Sequence, residues 1–254
     1  MSTYRLFVLS MPALLLAMAG TRAEAGYTLN FQNSLQPTTP AAGWSYLYNA
    51  GGAIGNSASY TALLPVPQTT PSYIYYDTNG SASLPSYPDN SGTPYYTFFG
   101  KAGNGDAIGH PGPGTTQSAN EGYAIAAYTL SAGSSDVAIT NGFLQNIDHQ
   151  TSLGSYDGLD YIVYLSSNPT NIVSGTTAAG YLSSATFGID LGSAAAGDTI
   201  YVAIGSRGNH LYDAFHLNYD ITIATPEPST LLLAGIGLVV GLGRTLRKRI
   251  RANA

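Results

Sequence analysis

The chain has 254 residues, of which 9% are charged, 30 are Gly, 20 are Tyr and none is Cys. The missing cysteine excludes thiol catalysis, zinc–thiolate sites and disulfide stapling, and abundant Gly, Ser, Thr and Tyr with few Lys and Glu disfavours long helices. The overall charge of −5 conceals an imbalance: between Gly26 and Ala224 only Lys101 and Arg207 oppose twelve carboxylates, leaving about −10, the wrong sign for neutralising a nucleic-acid backbone.

Residues 1–25 have the physical layout of a secretory signal peptide. Arg5 supplies the positive start, Leu6 to Ala19 is apolar apart from Ser10, and Ala23-Glu24-Ala25 offers a small-residue cleavage site at Ala23 and Ala25. The expected partners there are signal peptidase and the general secretion machinery, and the mature chain is expected to start at Gly26. A retained N-terminal anchor is the alternative.

Residues 26–224 are long enough for one sizeable domain. Its first half is rich in turns. Tyr27 to Phe31 alternates and reads as a first strand, and Gly43 to Tyr48 places Trp44, Tyr46 and Tyr48 on one face of a second. Leu63 to Pro94 carries six prolines and reads as turns and edge segments, with short strands at Tyr73 to Tyr76 and Tyr95 to Phe99. Gly100 to Gly114, with six glycines and two prolines, is expected to be a loop.

The second half is more regular. Gly122 to Leu130, Val137 to Thr140, Leu159 to Leu165, Ala185 to Leu191, Thr199 to Ile204 and Leu217 to Ile223 all read as strands. The sets Phe187, Ile189, Leu191; Ile200, Val202, Ile204; and Leu217, Tyr219, Ile221, Ile223 each define one apolar face, with Asp190, Asn218, Asp220 and Thr222 pointing away from it. Gly-, Asp- and Ser-rich turns recurring between such strands predict an all-β, two-sheet antiparallel sandwich of jelly-roll type.

Catalysis needs a nucleophile, a base and a group that orients the base. No H-E-x-x-H, G-x-S-x-G or Walker A pattern occurs in the chain. Of the histidines His110, His149, His210 and His216, the last two flank Asp213 at a spacing that could support a metal, although loop histidines without a ligand role are the default. Glu121 is the sole Glu between residues 26 and 224, so a glycosidase carboxylate pair would need Asp partners. Asp157 and Asp160 flank Gly158 and Leu159 at an expected strand start, and Asp198 and Asp213 lie in later turns, where Asp commonly bonds its own backbone. The same residue type supplies oxygens to Ca²⁺, so a structural Ca²⁺ is the alternative to the expected absence of any cofactor or metal. The tyrosines divide similarly between sugar-stacking platforms and ordinary strand packing, and Trp44 is assigned to the core.

Residues 225–254 read TPEPSTLLLAGIGLVVGLGRTLRKRIRANA. Pro226 and Pro228 hold Glu227 on an extended strip. Ser229 to Gly243 is uncharged and apolar, and Arg244, Arg247, Lys248, Arg249 and Arg251 follow it as a basic stop. A helix over that run rises roughly 22 Å, short of a roughly 30 Å hydrocarbon core. In this order a Pro226-Glu227-Pro228 tripeptide, a short apolar helix and an Arg-rich end resemble the PEP-CTERM sorting signal of exported Gram-negative bacterial proteins. The resemblance implies a transmembrane tail recognised and removed by a membrane-embedded exosortase, with the product passed to the cell surface. An ordinary single-span anchor is the alternative.

The ectodomain also carries a looser resemblance. Trp44-Ser45-Tyr46, His110-Pro111-Gly112, Asp157-Gly158-Leu159-Asp160-Tyr161 and Gly197-Asp198-Thr199-Ile200-Tyr201 are similar to a recurrent jelly-roll ectodomain found ahead of PEP-CTERM tails. The segment Asn120-Glu121-Gly122-Tyr123 departs from that pattern. The expected protein is a non-enzymatic surface or matrix protein, transiently held in the membrane and then exported, that binds or organises exopolysaccharide. A secreted carbohydrate-active hydrolase and a simple membrane-anchored surface protein are the alternatives.

Overall fold

Period-two alternation and β-branched or aromatic residues between Gly- and Asp-rich turns direct this chain into strands. A computed structural model describes residues 25–49, 54–67, 74–78, 97–112, 122–147, 158–207 and 213–225. In chain order the strands are β1 (Ala25–Asn30), β2 (Trp44–Asn49), β3 (Thr61–Ala62), β4 (Leu64–Pro65), β5 (Ile74–Asp77), β6 (Phe98–Lys101) and β7 (Ala107–His110). They continue as β8 (Tyr123–Thr129), β9 (Ser134–Asn146), β10 (Leu159–Leu165), β11 (Asn168–Thr176), β12 (Ser184–Ala194), β13 (Thr199–Ser206) and β14 (Phe215–Thr225). Among the described residues the only α-helix is the single turn α1 (Phe31–Ser34), and no helix is long and apolar enough to cross a membrane. Gly26–Ala224 forms one compact unit, and Met1–Ala25 with Thr225–Ala254 belongs to another.

The strands form two antiparallel sheets packed as a sandwich. An eight-stranded sheet runs β12-β9-β14-β7-β6-β5-β4, with β1 also beside β14, and a six-stranded sheet runs β11-β10-β13-β8-β2-β3. From β7 onward consecutive strands fall in different sheets except β10 and β11, which pair with each other: β7, β14, β9 and β12 are neighbours in the larger sheet, and β8, β13, β10 and β11 in the smaller. The inner faces meet in one core. Ile200, Val202 and Ile204 of β13 face Leu217, Tyr219, Ile221 and Ile223 of β14, all buried, together with Val137, Ile139 and Leu144 of β9. Phe187 and Ile189 join them, with Leu191 packed alongside.

Toward the N-terminal strands this core becomes aromatic. Phe31 stacks on Tyr219 at 4.9 Å with an interplanar angle of 7°, and Trp44 and Phe99 each lie 5.8 Å from the Phe31 ring. The Phe31 position follows from the turn that carries it. Asn30 caps α1 by accepting the Asn33 N–H at 3.0 Å, and the chain reverses there instead of extending β1. Phe31 therefore sits in a helical turn and not in the first strand, where the sequence placed it. Tyr46 and Tyr76 donate their hydroxyls to the Ser34 and Gln36 carbonyls, so rings buried in the core still satisfy their polar ends.

Two further expectations are corrected. Gly100 to Gly114, read as a loop, contains the end of β6 and all of β7, which pair with each other from Phe98 with His110 to Lys101 with Ala107. Gly109 there serves close packing: a Cβ on it would lie 2.5 Å from the Phe215 ring. Strand β11 also lies where no strand was expected. Its sequence NPTNIVSGT has little apolar patterning because it is an edge strand exposed along most of its length.

Candidate functional site

The residues expected to carry sorting mostly lie outside the described part of the chain: Ala23, Pro226, Glu227 and Pro228, and the basic group Arg244, Arg247, Lys248, Arg249 and Arg251. Ala25 is the first residue of β1. The chain reaches the motif straight from the sandwich. Strand β14 ends at Thr225, with Ala224 still paired to Asp136 and its carbonyl accepting from the Ser134 hydroxyl.

Among the described residues the candidate catalytic and ligating groups do not converge. Among the described residues no three His, Asp or Glu side chains are grouped so as to hold a metal ion. His149, His210, Asp157 and Glu121 lie outside the described residues. His110 is buried; its Nδ1 accepts the Gly112 N–H at 3.0 Å, and its ring lies parallel to Phe98 at 6.3 Å. That acceptor role places its proton on Nε2. His216 is half-buried on β14, where burial lowers its pKa and the Asp106 carboxylate opposes the shift. Asp198 holds a turn, accepting the Ala195 N–H at 2.7 Å and the Ser167 hydroxyl at 2.9 Å, and Asp190 accepts the Gly192 N–H at 2.8 Å. These are the turn contacts expected of aspartate. Asp213 is fully buried and Asp160 lies in the β10 ladder.

Among the described residues the aromatic side chains are mostly inside. Trp44, Tyr46, Tyr76, Tyr128 and Tyr219 belong to the inter-sheet core, and Tyr123, Tyr164 and Tyr201 to a second apolar cluster on the outer face of the six-stranded sheet. Tyr164 and Tyr201 stack at 4.8 Å and 19°, and the Tyr60 ring meets Tyr201 edge-on at 5.6 Å. The Tyr60 and Tyr164 hydroxyls are 2.6 Å apart, and Tyr60 also accepts the Gly55 N–H at 3.0 Å. Burial, then the contact with Tyr60, raises the Tyr164 pKa far beyond the ordinary phenol range. The segment with Ile54 and Tyr60 covers this face and reaches β11, where Gly55, at φ +94°, lies against the Pro169 carbonyl and Ile172.

The outer face of the eight-stranded sheet is polar. Asp220 Oδ1 accepts from Asn30 Nδ2 at 2.8 Å and its Oδ2 from Asn141 Nδ2 at 2.7 Å, while Asn30 also donates to Asn218 at 3.1 Å. The network depends on a bulge in β9. Asn218 pairs with Phe143 but Asp220 with Thr140, and across the strand Phe187 pairs with Gly142 but Ile189 with Ile139. One extra residue at Asn141-Gly142 accounts for both shifts, with Asn141 at φ +52° turning its amide outward over β14. Sequence reading turned Asn218 and Asp220 outward but missed Asn30, Asn141 and the bulge that joins them, although an Asn-Gly pair inside an alternating strand is a signal for one.

Residues 224–249 match the family model of the PEP-CTERM protein-sorting motif. The chain therefore carries the sorting signal of an exported protein, and that signal implies exosortase processing and delivery to the cell surface or extracellular space. No curated protein matches the chain. Among solved structures it is similar to the K1 cleaved adhesin domain of Lys-gingipain from Porphyromonas gingivalis W83. The identity is 14% over 79% of this chain and 98% of that one, with a TM-score of 0.31, a likeness too distant to carry an argument.

Proposed function

We propose that the protein is a non-enzymatic surface or extracellular-matrix protein. In this reading its β-sandwich is exported behind the signal peptide 1–25, held briefly in the membrane by the apolar run before Arg244, and released when an exosortase removes the tail. The sorting motif over 224–249 carries this reading. It is supported by the position of Thr225, the last residue of β14 and the residue immediately before Pro226. A cut at or after Pro226 removes no ladder residue, so the sandwich keeps every strand. The repeated crossing of the chain between the two sheets from β7 to β14, interrupted only by the β10–β11 pair, supports a jelly-roll-like description of the domain. The assignment as a non-enzyme is supported by what the polar groups are doing: His110, Asp190, Asp198 and Asp220 are engaged in turns and side-chain networks.

Within this reading the ectodomain binds or organises exopolysaccharide. The amide- and carboxylate-rich outer face of the eight-stranded sheet supports hydrogen bonding to sugar hydroxyls. Stacking is a smaller element, because the tyrosines exposed among the described residues are Tyr27 and Tyr181. Single contacts of this kind are weak, so retention would depend on many copies acting together. Intact-mass measurement of the protein recovered from its native surface tests the sorting half: the expected form lacks 1–25 and the basic tail, and a form still carrying Arg244 to Ala254 would make this a simple anchor. Incubating that recovered form with the native polysaccharide tests the other half. Retention without cleavage is expected; release of reducing ends would make it a hydrolase, and neither result would leave a coat protein with no glycan ligand.

A further inference from the structure

The two sheets end side by side in strands that treat their free edges differently. β12 closes the eight-stranded sheet, and β11 closes the six-stranded one. β12 is poorly suited to receive another strand. Its pairing with β9 shifts register three times, Gly192 takes φ +72°, and Asp190 stands exposed on it. Bulges and charges of this kind are how edge strands resist further pairing.

β11 has fewer of these devices: Pro169 and one register shift against β10, between Asn168 and Val173. From Thr170 to Thr176 it contains no charged residue and no proline, and it pairs with β10 in unbroken register from Val173 to Thr176. Its side chains are exposed at nearly every position. The exposed large apolar side chains among the described residues are Tyr27, Leu64, Ile172, Tyr181 and Leu182, so three of the five lie on β11 or on the connection that follows it. Leu182 is the more telling. It is held at φ +60°, a conformation bulky L-residues avoid, by its N–H to the Asn146 carbonyl at 2.9 Å and by Gln145 Nε2 on its own carbonyl at 3.2 Å. The fold constrains a leucine there while leaving half of its surface in water.

We propose that the β11 edge, followed in the chain by the exposed Tyr181-Leu182 connection, is a self-association site at which a second copy of this chain pairs its own β11 antiparallel to the first. Three observations select that occupant. The strand is neutral on a domain carrying about −10, so what fits it is a neutral strand rather than a basic partner. β11 is itself such a strand, and an antiparallel self-pair places no charge opposite a charge. The opposite edge of the same sheet, β3, is only two residues long, so head-to-tail growth has almost no ladder to use. The symmetric contact closes as a dimer and joins two six-stranded sheets into one.

The absence of cysteine makes the test direct, because each introduced thiol is the only one in the chain. Single variants Thr170→Cys, Asn171→Cys, Ile172→Cys, Val173→Cys and Ser174→Cys of the full chain, purified in mild detergent and oxidised, are run on a non-reducing gel beside Thr186→Cys on exposed β12. A disulfide-linked dimer is expected to peak at one β11 position and fall away on either side, while the Thr186 variant stays monomeric. In parallel, Ile172→Lys with Ser174→Lys should weaken the dimer at least ~10-fold by sedimentation, since like charges then face each other, with the circular dichroism unchanged. Three results would overturn the proposal: no cross-link at any of the five positions, equal cross-linking at Thr186, or a dimer insensitive to the double lysine change. Cross-links formed only to other proteins would assign the edge to a foreign strand and overturn self-pairing as well.

Discussion

The outer faces of the two sheets share a pleated backbone and differ in chemistry. On the six-stranded sheet Tyr123, Ile125, Ala127, Tyr164, Tyr201 and Ala203 are buried beneath the segment carrying Ile54 and Tyr60. On the eight-stranded sheet Asn30, Asn141, Asn218 and Asp220 bond one another at the surface. Burial along the strands records the difference. β14 alternates buried and half-buried residues from Phe215 to Ala224, whereas β8 is buried continuously from Tyr123 to Tyr128 and β13 from Ile200 to Ser206. A covering segment thus turns one half-buried sheet into a layer enclosed on both sides, and the period-two pattern disappears from the strands it covers.

The most severe way to break this comparison is a charge on either face of β13. Val202→Asp faces the inter-sheet core and Ala203→Asp faces the covering segment, and neither site is exposed. Each is expected to cost on the order of 4 kcal/mol, as an unpaired buried charge does. Thr186→Asp on exposed β12 should stay within about 0.5 kcal/mol. Urea midpoints of the three variants decide the matter: an Ala203→Asp protein as stable as Thr186→Asp would mean that the outer face of the six-stranded sheet is open.

High pH probes both layers at once. Burial raises the pKa of Tyr46 and Tyr219 in the core and of Tyr164 on the covered face, and brings Tyr76 and Tyr128 up to about 12. The folded state then holds phenolic protons that the unfolded chain gives up near pH ~10. Stability from these groups is complete below that value and is lost as pH climbs toward the folded pKa. Denaturation midpoints should therefore be steady up to pH ~10 and fall beyond it. If these buried phenols ionise near pH ~10 in a protein that remains folded, they are not enclosed as described.

The polar face responds more mildly. Asp220→Ala removes the acceptor of two amide donors, from Asn30 and Asn141, in a half-exposed setting, and is expected to cost about 1–2 kcal/mol. A loss near zero would show that water replaces the carboxylate at no cost. Smallest of all is Tyr219→Phe. The Tyr219 hydroxyl is buried and has no hydrogen-bond partner among the described residues, so deleting it should be neutral or slightly stabilising, within about 0.5 kcal/mol. Tyr76→Phe, which loses the 2.6 Å bond to the Gln36 carbonyl, is the control expected to destabilise by about 1 kcal/mol. Equal effects for the two would indicate that Tyr219 has an unseen partner.

Local chemistry in the sequence was enough to establish the sorting motif and the all-β class, because each depends on short-range order. Pro-Glu-Pro, an apolar run and a basic end are contiguous, and the alternation in Leu217 to Ile223 spans a single strand. The inward faces of β13 and β14 follow from that period alone, and Ile200, Val202, Ile204, Tyr219, Ile221 and Ile223 are buried as the pattern requires. Tertiary structure decided the rest. It made a strand of Ala107–His110 inside a glycine-rich stretch, because the ladder to β6 outweighs weak local preference. It put Phe31 into a capped turn, enclosed Tyr164 and Tyr201 that composition had left free to be platforms, and left β11 as an uncharged edge with no apolar pattern to reveal it. What mattered was a neighbour outside the residue's own strand, such as β6 for β7, Tyr219 for Phe31 and Tyr60 for Tyr164 and Tyr201, or the absence of one at a sheet edge, and single-strand periodicity contains neither.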